Sequence, residues 1–219
     1  MKVLLLALSS LGAFTDVEAA LSDTGPFPSS YAAFSARFVQ PPTPDVLTEL
    51  RGHFFQHKWD NNVSHITSGY WYNSAAQGKV RADETYDGEF ASSLFDYTDV
   101  TAGGQVLNKL RMVGPSVGSS PSCFVEHIDS PGFPLVTSDI LKTNGAAFGG
   151  VVIDPIVGYT QSWNFLLGGS ISVIAYLDED NLLVGFDFWG AERRTKVITR
   201  FFNTVVGSIE AKVFENFPC

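Results

Sequence analysis

The chain has few charged residues, and its N-terminal apolar run is too short to cross a membrane. Charged residues make up 17% of 219 positions, and 14 basic against 23 acidic side chains give a net charge of -9. An acidic excess disfavours nucleic acid and anionic membrane surfaces as partners, because their phosphates repel it. The apolar run, residues 3–14, falls short of the ~20 residues of a spanning helix, so we expect no transmembrane span.

The sequence also lacks an internal repeat and a complete catalytic constellation. Residues 114–118 match the GxSxG pattern around Ser116, which needs a preceding strand, a following helix and a downstream acid and histidine. Pro121 interrupts the segment that would form the helix, and His127 follows Ser116 closely. We therefore expect a loop here and predict that the protein is not an enzyme. A secreted serine hydrolase using Ser116 is kept as a third hypothesis.

The first residues of the chain predict secretion. Lys2 precedes the apolar run, and Val17-Glu18-Ala19 supplies small residues at the positions that a signal peptidase recognises. Residues 1–20 are therefore a predicted signal peptide, and we expect the mature protein to be secreted and extracellular. In that compartment the sequon Asn62-Val63-Ser64 predicts a glycan on Asn62.

The two cysteines, Cys123 and Cys219, stand 96 positions apart, and Cys219 is the last residue of the sequence. In an oxidising compartment an even pair so far apart predicts a disulfide, whereas in the cytosol it would indicate two buried thiols. Because the N-terminus favours secretion, we predict a Cys123–Cys219 disulfide that joins the end of the chain to its middle.

Residues 21–219 are expected to form a single β domain. Hydrophobic residues make up 45% of the chain, enough for one substantial core, and aromatic residues at 13% favour strands. Repeated prolines predict an extended N-terminal segment over 21–43. Over 45–59, apolar residues at a broken helical spacing follow Pro44 and predict a short helix.

After this segment the hydrophobic period changes to two. The alternation predicts eight or nine strands, at 65–73, 78–86, 90–97, 105–113, 123–128, 157–167, 170–177, 182–189 and 196–206. Short polar turns between them favour antiparallel pairing. The predicted fold is therefore mainly β, with curved antiparallel sheets forming a half-open barrel around an apolar pocket and with one or two short helices.

The aromatic and branched residues of these strands are the candidate ligand pocket. In a closed sandwich they would be core, but a curled sheet has a concave face that its own side chains do not fill. The predicted pocket residues are Tyr70, Tyr72, Val80, Leu94, Phe95, Trp163, Ile171, Val173, Tyr176, Phe186 and Phe188.

Two groups of residues are candidates for metal ligands. His53 and His57 would share one face of the predicted helix, but Phe54 occupies the position where the zincin pattern requires Glu, so we expect surface histidines. The acidic groups are Asp83-Glu84 with Asp87, and Asp178-Glu179-Asp180-Asn181. They offer the oxygen ligands that calcium needs without the spacing of a calcium loop. We expect solvated turn carboxylates and leave calcium open as a cofactor.

The C-terminal stretch carries the most specific motifs of the chain. They are a paired-Phe strand, a Gly-Ile turn, a Val-Phe step and a terminal Pro-Cys, at Arg200-Phe201-Phe202-Asn203, Gly207-Ser208-Ile209, Val213-Phe214 and Pro218-Cys219. Together with Tyr86-Asp87, Trp163 and Cys123, they resemble the ependymin family of secreted proteins over about residues 69–219. The family's Asp-Pro after the Gly-Ile turn is Glu210-Ala211 here, and its further cysteines are absent, so the chain resembles a divergent member.

The resemblance implies curved antiparallel sheets around a deep hydrophobic pocket, similar to bacterial periplasmic lipoprotein carriers, with Cys123 bridged to Cys219. It also implies calcium binding, association with the extracellular matrix and formation of a homodimer. Our first functional hypothesis is a secreted, non-enzymatic protein that binds a hydrophobic small molecule or lipid, such as a fatty acid. The alternative is a calcium-dependent extracellular matrix or cell-adhesion glycoprotein.

Overall fold

A computed structural model describes residues 25–27, 40–60, 63–86, 88–129, 131–191, 194–217 and 219. The predicted signal peptide, Asn62, Asp87 and most of segment 21–43 lie outside these residues. The described chain forms eleven strands: β1 (Glu49–Asp60), β2 (Val63–Ser74), β3 (Lys79–Tyr86), β4 (Glu89–Val100), β5 (Val106–Gly114), β6 (Gly118–Ile128), β7 (Ala147–Asp154), β8 (Gly158–Leu167), β9 (Ile171–Leu177), β10 (Leu183–Gly190) and β11 (Thr195–Val206). It also forms two four-residue helices, α1 (Ile140–Thr143) and α2 (Lys212–Glu215).

The eleven strands form one antiparallel sheet in the order β6-β5-β4-β3-β2-β1-β11-β10-β9-β8-β7. Two meanders, β1–β6 and β7–β11, are joined where β1 pairs with β11, from Leu50 opposite Val206 to Trp59 opposite Lys196. The edge strands β6 and β7 do not pair, so the sheet is not closed. The predicted mainly β, half-open fold with short helices is confirmed.

The helix predicted over 45–59 is wrong, because β1 occupies most of that segment. Leu50, Gly52, Phe54 and Gln56 are buried at every second position, as a half-buried strand requires. Gly52 and Gln56 conceal this alternation in the sequence because neither is a hydrophobic side chain. Pairing with β2 on one side and β11 on the other therefore decides the conformation.

Two stretches outside the predicted strands are also partly strand. Residues 147–154, between the strands predicted at 123–128 and 157–167, form β7, and the loop expected around Ser116 is a 3-10 turn at Pro115–Val117 followed directly by β6. The helix α1 also lies between those two predicted strands. Within the described residues, no helix is long and apolar enough to cross a membrane.

The inner face of the sheet buries the main core, with both halves of the sheet contributing. Its fully buried side chains include Leu50, Phe54, Trp71, Val80, Trp163, Leu177 and Phe201. The Trp71 and Phe201 rings stack with centroids 4.2 Å apart, which joins β2 to β11 across β1. This ring contact holds the two meanders together through side chains as well as through backbone hydrogen bonds.

The connection from β6 to β7 covers this inner face, and we call residues 131–146 the plug. The plug buries Phe133, Val136, Leu141 and Ala146 in the core. The Phe133 ring packs edge-on against Phe54 with centroids 4.8 Å apart. The side chains of the sheet alone do not fill its concavity, and the plug supplies the missing apolar volume.

Polar contacts hold the plug to the sheet. Asn73, which is fully buried, donates from Nδ2 to the Thr48 and Val136 carbonyls and accepts the Val136 N–H at its Oδ1. The Tyr97 hydroxyl donates to the Phe133 carbonyl at 2.8 Å, and burial raises the pKa of Tyr97 so that it stays a neutral donor. These bonds satisfy backbone groups that a buried loop would otherwise leave unpaired.

The C-terminal residues 207–217 and 219 cover the outer face of β2–β5, and we call them the clasp. Leu94 forms a second core with Ile209, Phe214 and Phe217. Arg81 donates to the Val213 carbonyl at 2.8 Å. The disulfide predicted between Cys123 and Cys219 is present and anchors the clasp to β6.

Replacing Asn73 with Ala should destabilise the protein by on the order of 3 kcal/mol, because buried backbone groups of Thr48 and Val136 lose their partners. Urea unfolding at pH 7 measures the loss. The matched control is Asn164→Ala at an exposed position of β8, which should change stability by less than about 0.5 kcal/mol. Equal effects of the two variants would contradict the role of Asn73 as the anchor of the plug.

Replacing Cys219 with Ser should lower the free energy of unfolding by about 2–5 kcal/mol, because the disulfide closes a loop of 96 residues. Cys123→Ser and the double variant should lose the same amount, since all three remove one bond. Urea unfolding with and without reductant checks this, and reductant should affect only the wild type. Unchanged stability in the single variants would show that the bridge does not hold the clasp.

Candidate functional site

A cavity of about 320 Å³ lies on the inner face of the β1–β6 half, and we call it the inner cavity. It ends against Gly132 and Phe133 at the start of the plug. The sheet contributes the remaining lining residues: Gln56, Lys58, His65, Thr67, Ala82, Glu84, Ser93, Phe95, Asn108 and Ile128. The cavity is the part of the concave face that the plug leaves uncovered.

Strand alternation places these side chains. Neighbouring members on each strand are two positions apart, as with Gln56 and Lys58 on β1 or Ala82 and Glu84 on β3, so all point to the same face. Register places Ala82 opposite Ser93 and Phe95 opposite Asn108. The result is a wall of aromatic and aliphatic groups with polar groups set into it, which is the usual make-up of a small-molecule site.

The charged groups of the inner cavity are only partly compensated. Burial raises the pKa of the Glu84 carboxyl, while the neighbouring Thr67 hydroxyl and the charge of Lys58 act in the opposite direction. The Lys58 ammonium also lies 3.5 Å from Asp60. Asn108 is 6% exposed, and its Oδ1 atom has no hydrogen-bond partner. The cavity therefore presents the Glu84 carboxyl as an acceptor, with the Lys58 ammonium in the same lining.

The predicted pocket residues divide between the two faces of the sheet. Val80, Phe95, Trp163, Ile171, Val173, Phe186 and Phe188 occupy inner-face positions, whereas Tyr70, Tyr72, Leu94 and Tyr176 occupy outer-face positions. Of the eleven, only Phe95 lines the inner cavity. Val80, Trp163 and Phe186 are buried in the core, and Leu94 and Tyr72 pack under the clasp. Ligand binding by these residues stays a prediction.

Sequence reasoning did not find the polar lining. Gln56, Thr67, Glu84 and Asn108 are polar residues in strands, which ordinarily indicate a solvent-facing side. Each stands an even number of positions from a core residue of its own strand, for example Glu84 from Ala82 and Asn108 from Val106. That parity was the signal that could have placed them on the inner face.

A second hollow, of about 380 Å³, lies on the outer face beside the β7–β8 hairpin and includes Asp154 and Tyr176. Arg200, which is 6% exposed, donates to Asp154 at 2.8 Å and to Asp187 at 2.6 Å, and its guanidinium lies 4.5 Å from the centre of the Tyr176 ring. Three strands separate β7 from β11 in the sheet, so the Asp154 contact places the hairpin tip over the outer face.

The side chains of this charged cluster form hydrogen bonds and ion pairs with one another. Burial, followed by the Asp187 carboxylate, raises the pKa of Tyr176 to about 12, and its hydroxyl donates to Asp187 at 3.0 Å. Burial also acts to raise the pKa of Asp154, but hydrogen bonds from Ile156, Arg200 and Val157 lower it below the ordinary value. The cluster is best explained as a structural ion-pair network that fastens the hairpin.

The other sequence-based candidates are not brought together as sites. His53 and His57 lie on a strand, roughly 13 Å apart at ~3.3 Å per residue, and His57 instead contacts Ser64 at 2.7 Å. Asp83 and Glu84 point to opposite faces, and the Asp178 carboxylate accepts the Asp180 and Leu182 N–H groups of its own turn. Within the described ranges, no three His, Cys, Asp or Glu side chains are grouped as a metal ion requires.

No family model and no curated protein matches the chain. The ependymin resemblance therefore has no support beyond the residues that carry it.

The comparison with solved structures finds several distant likenesses. They include an uncharacterized conserved protein from Thermus thermophilus, with a TM-score of 0.44 and 8% identity over 78% of this chain and 86% of that one. A DUF1329 family protein from Desulfovibrio piger has a TM-score of 0.35 and 8% identity, over 91% of this chain and 94% of that one. A putative outer membrane lipoprotein-sorting protein domain from Vibrio parahaemolyticus has a TM-score of 0.34 and 7% identity, over 77% of this chain and 90% of that one. TM-scores below 0.5 assign neither a family nor an activity. The fold and site themselves define an open, plugged β-sheet protein with a partly polar inner cavity.

Replacing Asp154 with Asn should destabilise the protein by about 1–3 kcal/mol at pH 7, because Arg200 loses one of its two carboxylate partners. Since the folded pKa of Asp154 is lowered, its contribution is fully present above the ordinary value of about 3.9 and is lost as pH falls through the folded value.

Urea unfolding at several pH values between 7 and 2.5 measures this dependence. The difference in the free energy of unfolding between Asp154→Asn and the wild type should become smaller below about pH 4. Asp129→Asn, at an exposed position, is the matched control and should have little effect at any pH. A difference that stays constant down to pH 2.5 would contradict the ionic role of Asp154.

Proposed function

We propose that the protein is a secreted, non-enzymatic binding protein that holds a hydrophobic ligand, a fatty acid or other lipid, in the inner cavity. The observation that carries the proposal is the cavity itself, which opens on the concave face of an unclosed sheet. Phe95, Phe133, Ala82 and Ile128 give it an apolar surface against which an acyl chain can pack. The disulfide is compatible with an oxidising, extracellular location.

The size of the inner cavity sets the size of what it holds. At ~30 Å³ for each water-sized group, 320 Å³ accommodates about ten non-hydrogen atoms. Burial of eight to ten carbons yields roughly 6–8 kcal/mol at about 0.8 kcal/mol for each CH₂, before association costs are subtracted. Because association costs reduce this free energy, we expect dissociation constants weaker than micromolar, with longer chains emerging from the mouth of the cavity.

No specific contact among the described residues favours the two other functional hypotheses, calcium-dependent adhesion and serine hydrolysis. Calcium-dependent adhesion would need grouped oxygen ligands, and the acidic residues that suggested them point to different faces or to their own turn. The GxSxG segment forms a 3-10 turn between two strands, whereas a nucleophile elbow needs a helix after its serine. Homodimer formation stays a prediction.

Replacing Ser93 with Phe should abolish ligand binding, because the new ring would fill the inner cavity between Ala82 and Phe95. An apolar fluorescent dye and its displacement by decanoate or decanol measure binding, and we expect at least a tenfold loss. The control is Ser172→Phe at an exposed position of β9, which should leave dye binding unchanged. Full binding by a folded Ser93→Phe protein, or no binding by the wild type, would overturn the proposed function.

A further inference from the structure

We propose that the inner cavity selects amphiphiles whose polar end donates hydrogen bonds, such as long-chain amines and alcohols, over fatty-acid anions. This rests on the proposed function and narrows its ligand class. The Glu84 carboxyl, which lines the inner cavity, carries the inference. An occupant with a donor can bond to this carboxylate, whereas an occupant that is itself a carboxylate is repelled by it.

Glu84 is built into the wall with space beside it. It projects from β3 to the inner face, and its neighbour across β2 is Gly69, which has no side chain. A Cβ atom on Gly69 would lie 1.9 Å from the Asp83 carbonyl oxygen, so the close approach of the two strands requires glycine here. The Glu84 carboxyl is thus left without a cross-strand side chain on that flank, and a ligand group can approach it.

The charge balance at this end of the cavity is negative. Lys58 is the one ammonium group of the lining, and it faces two carboxylates, Glu84 and the neighbouring Asp60 at 3.5 Å. A fatty-acid carboxylate would add a third negative charge around one cation in a partly desolvated place, where charge repulsion is weakly screened. A protonated amine would bring the missing positive charge, and a hydroxyl would bring a donor without any charge.

The test compares three probes with the same ten-carbon chain, which are decylamine, 1-decanol and decanoate. Each displaces an apolar fluorescent dye from the wild-type protein at pH 7.5. Decylamine and decanol should bind at least tenfold more tightly than decanoate. In Glu84→Gln, which keeps the size of the side chain and removes its charge, the amine should lose about tenfold in affinity and decanoate should gain.

The matched control is Glu179→Gln in the exposed turn between β9 and β10, which removes the same charge far from the cavity. It should leave all three affinities unchanged. Decanoate binding as tightly as decylamine in the wild type, or an unchanged amine-to-decanoate ratio in folded Glu84→Gln, would overturn donor selection while the proposed function stands. Failure of the dye and all three probes to bind would overturn the proposed function itself. The wild-type comparison needs no variant to fold.

Discussion

An antiparallel sheet of eleven strands that does not close has to bury its concave face with something other than its own side chains. Here the connection between the two edge strands does so, with Phe133, Val136 and Leu141 entering the core. Covering the core with irregular chain places backbone polar groups inside the protein, and Asn73 and Tyr97 give them partners. The fold thus depends on polar side chains within a hydrophobic interior.

The inner cavity follows from the same geometry. The plug meets the sheet from Phe133 onward, so among the described residues no layer covers the parts of β1–β5 that line the cavity beyond that contact. Most of the residues there are polar, because the strands extend beyond the apolar residues of the plug that cover the rest of the inner face. On the opposite face the clasp covers this half, so the wall of the cavity is supported from behind by Leu94 and Phe217. A cavity wall that is packed on its other face keeps its shape without a ligand, as a preformed binding site requires.

Much of the fold could be predicted from the sequence, because the period of two depends only on local pattern. The strands after β1 that alternate clearly were found nearly within their bounds, and the disulfide followed from two distant cysteines. β1 was missed since Gly52 and Gln56 take inner positions without being hydrophobic, and β7 was missed since Gly149 and Gly150 indicate a connector. For β1 the deciding energy includes pairing with β11, which is far away in the sequence and which no local pattern contains.

The site was less predictable than the fold, and for a different reason. The candidate pocket was chosen by residue type, which mixed Leu94 with Phe95 although adjacent strand residues face opposite sides. Parity would have separated them, and it would have grouped Thr67 and Glu84 with Trp71 and Ala82 on the inner face. What parity alone does not give is where the plug ends, because that depends on how an irregular connection folds across the sheet. A polar residue in phase with the core is therefore the sequence signal that most merits attention in an open sheet, since it marks either an anchor such as Asn73 or a cavity wall such as Asn108.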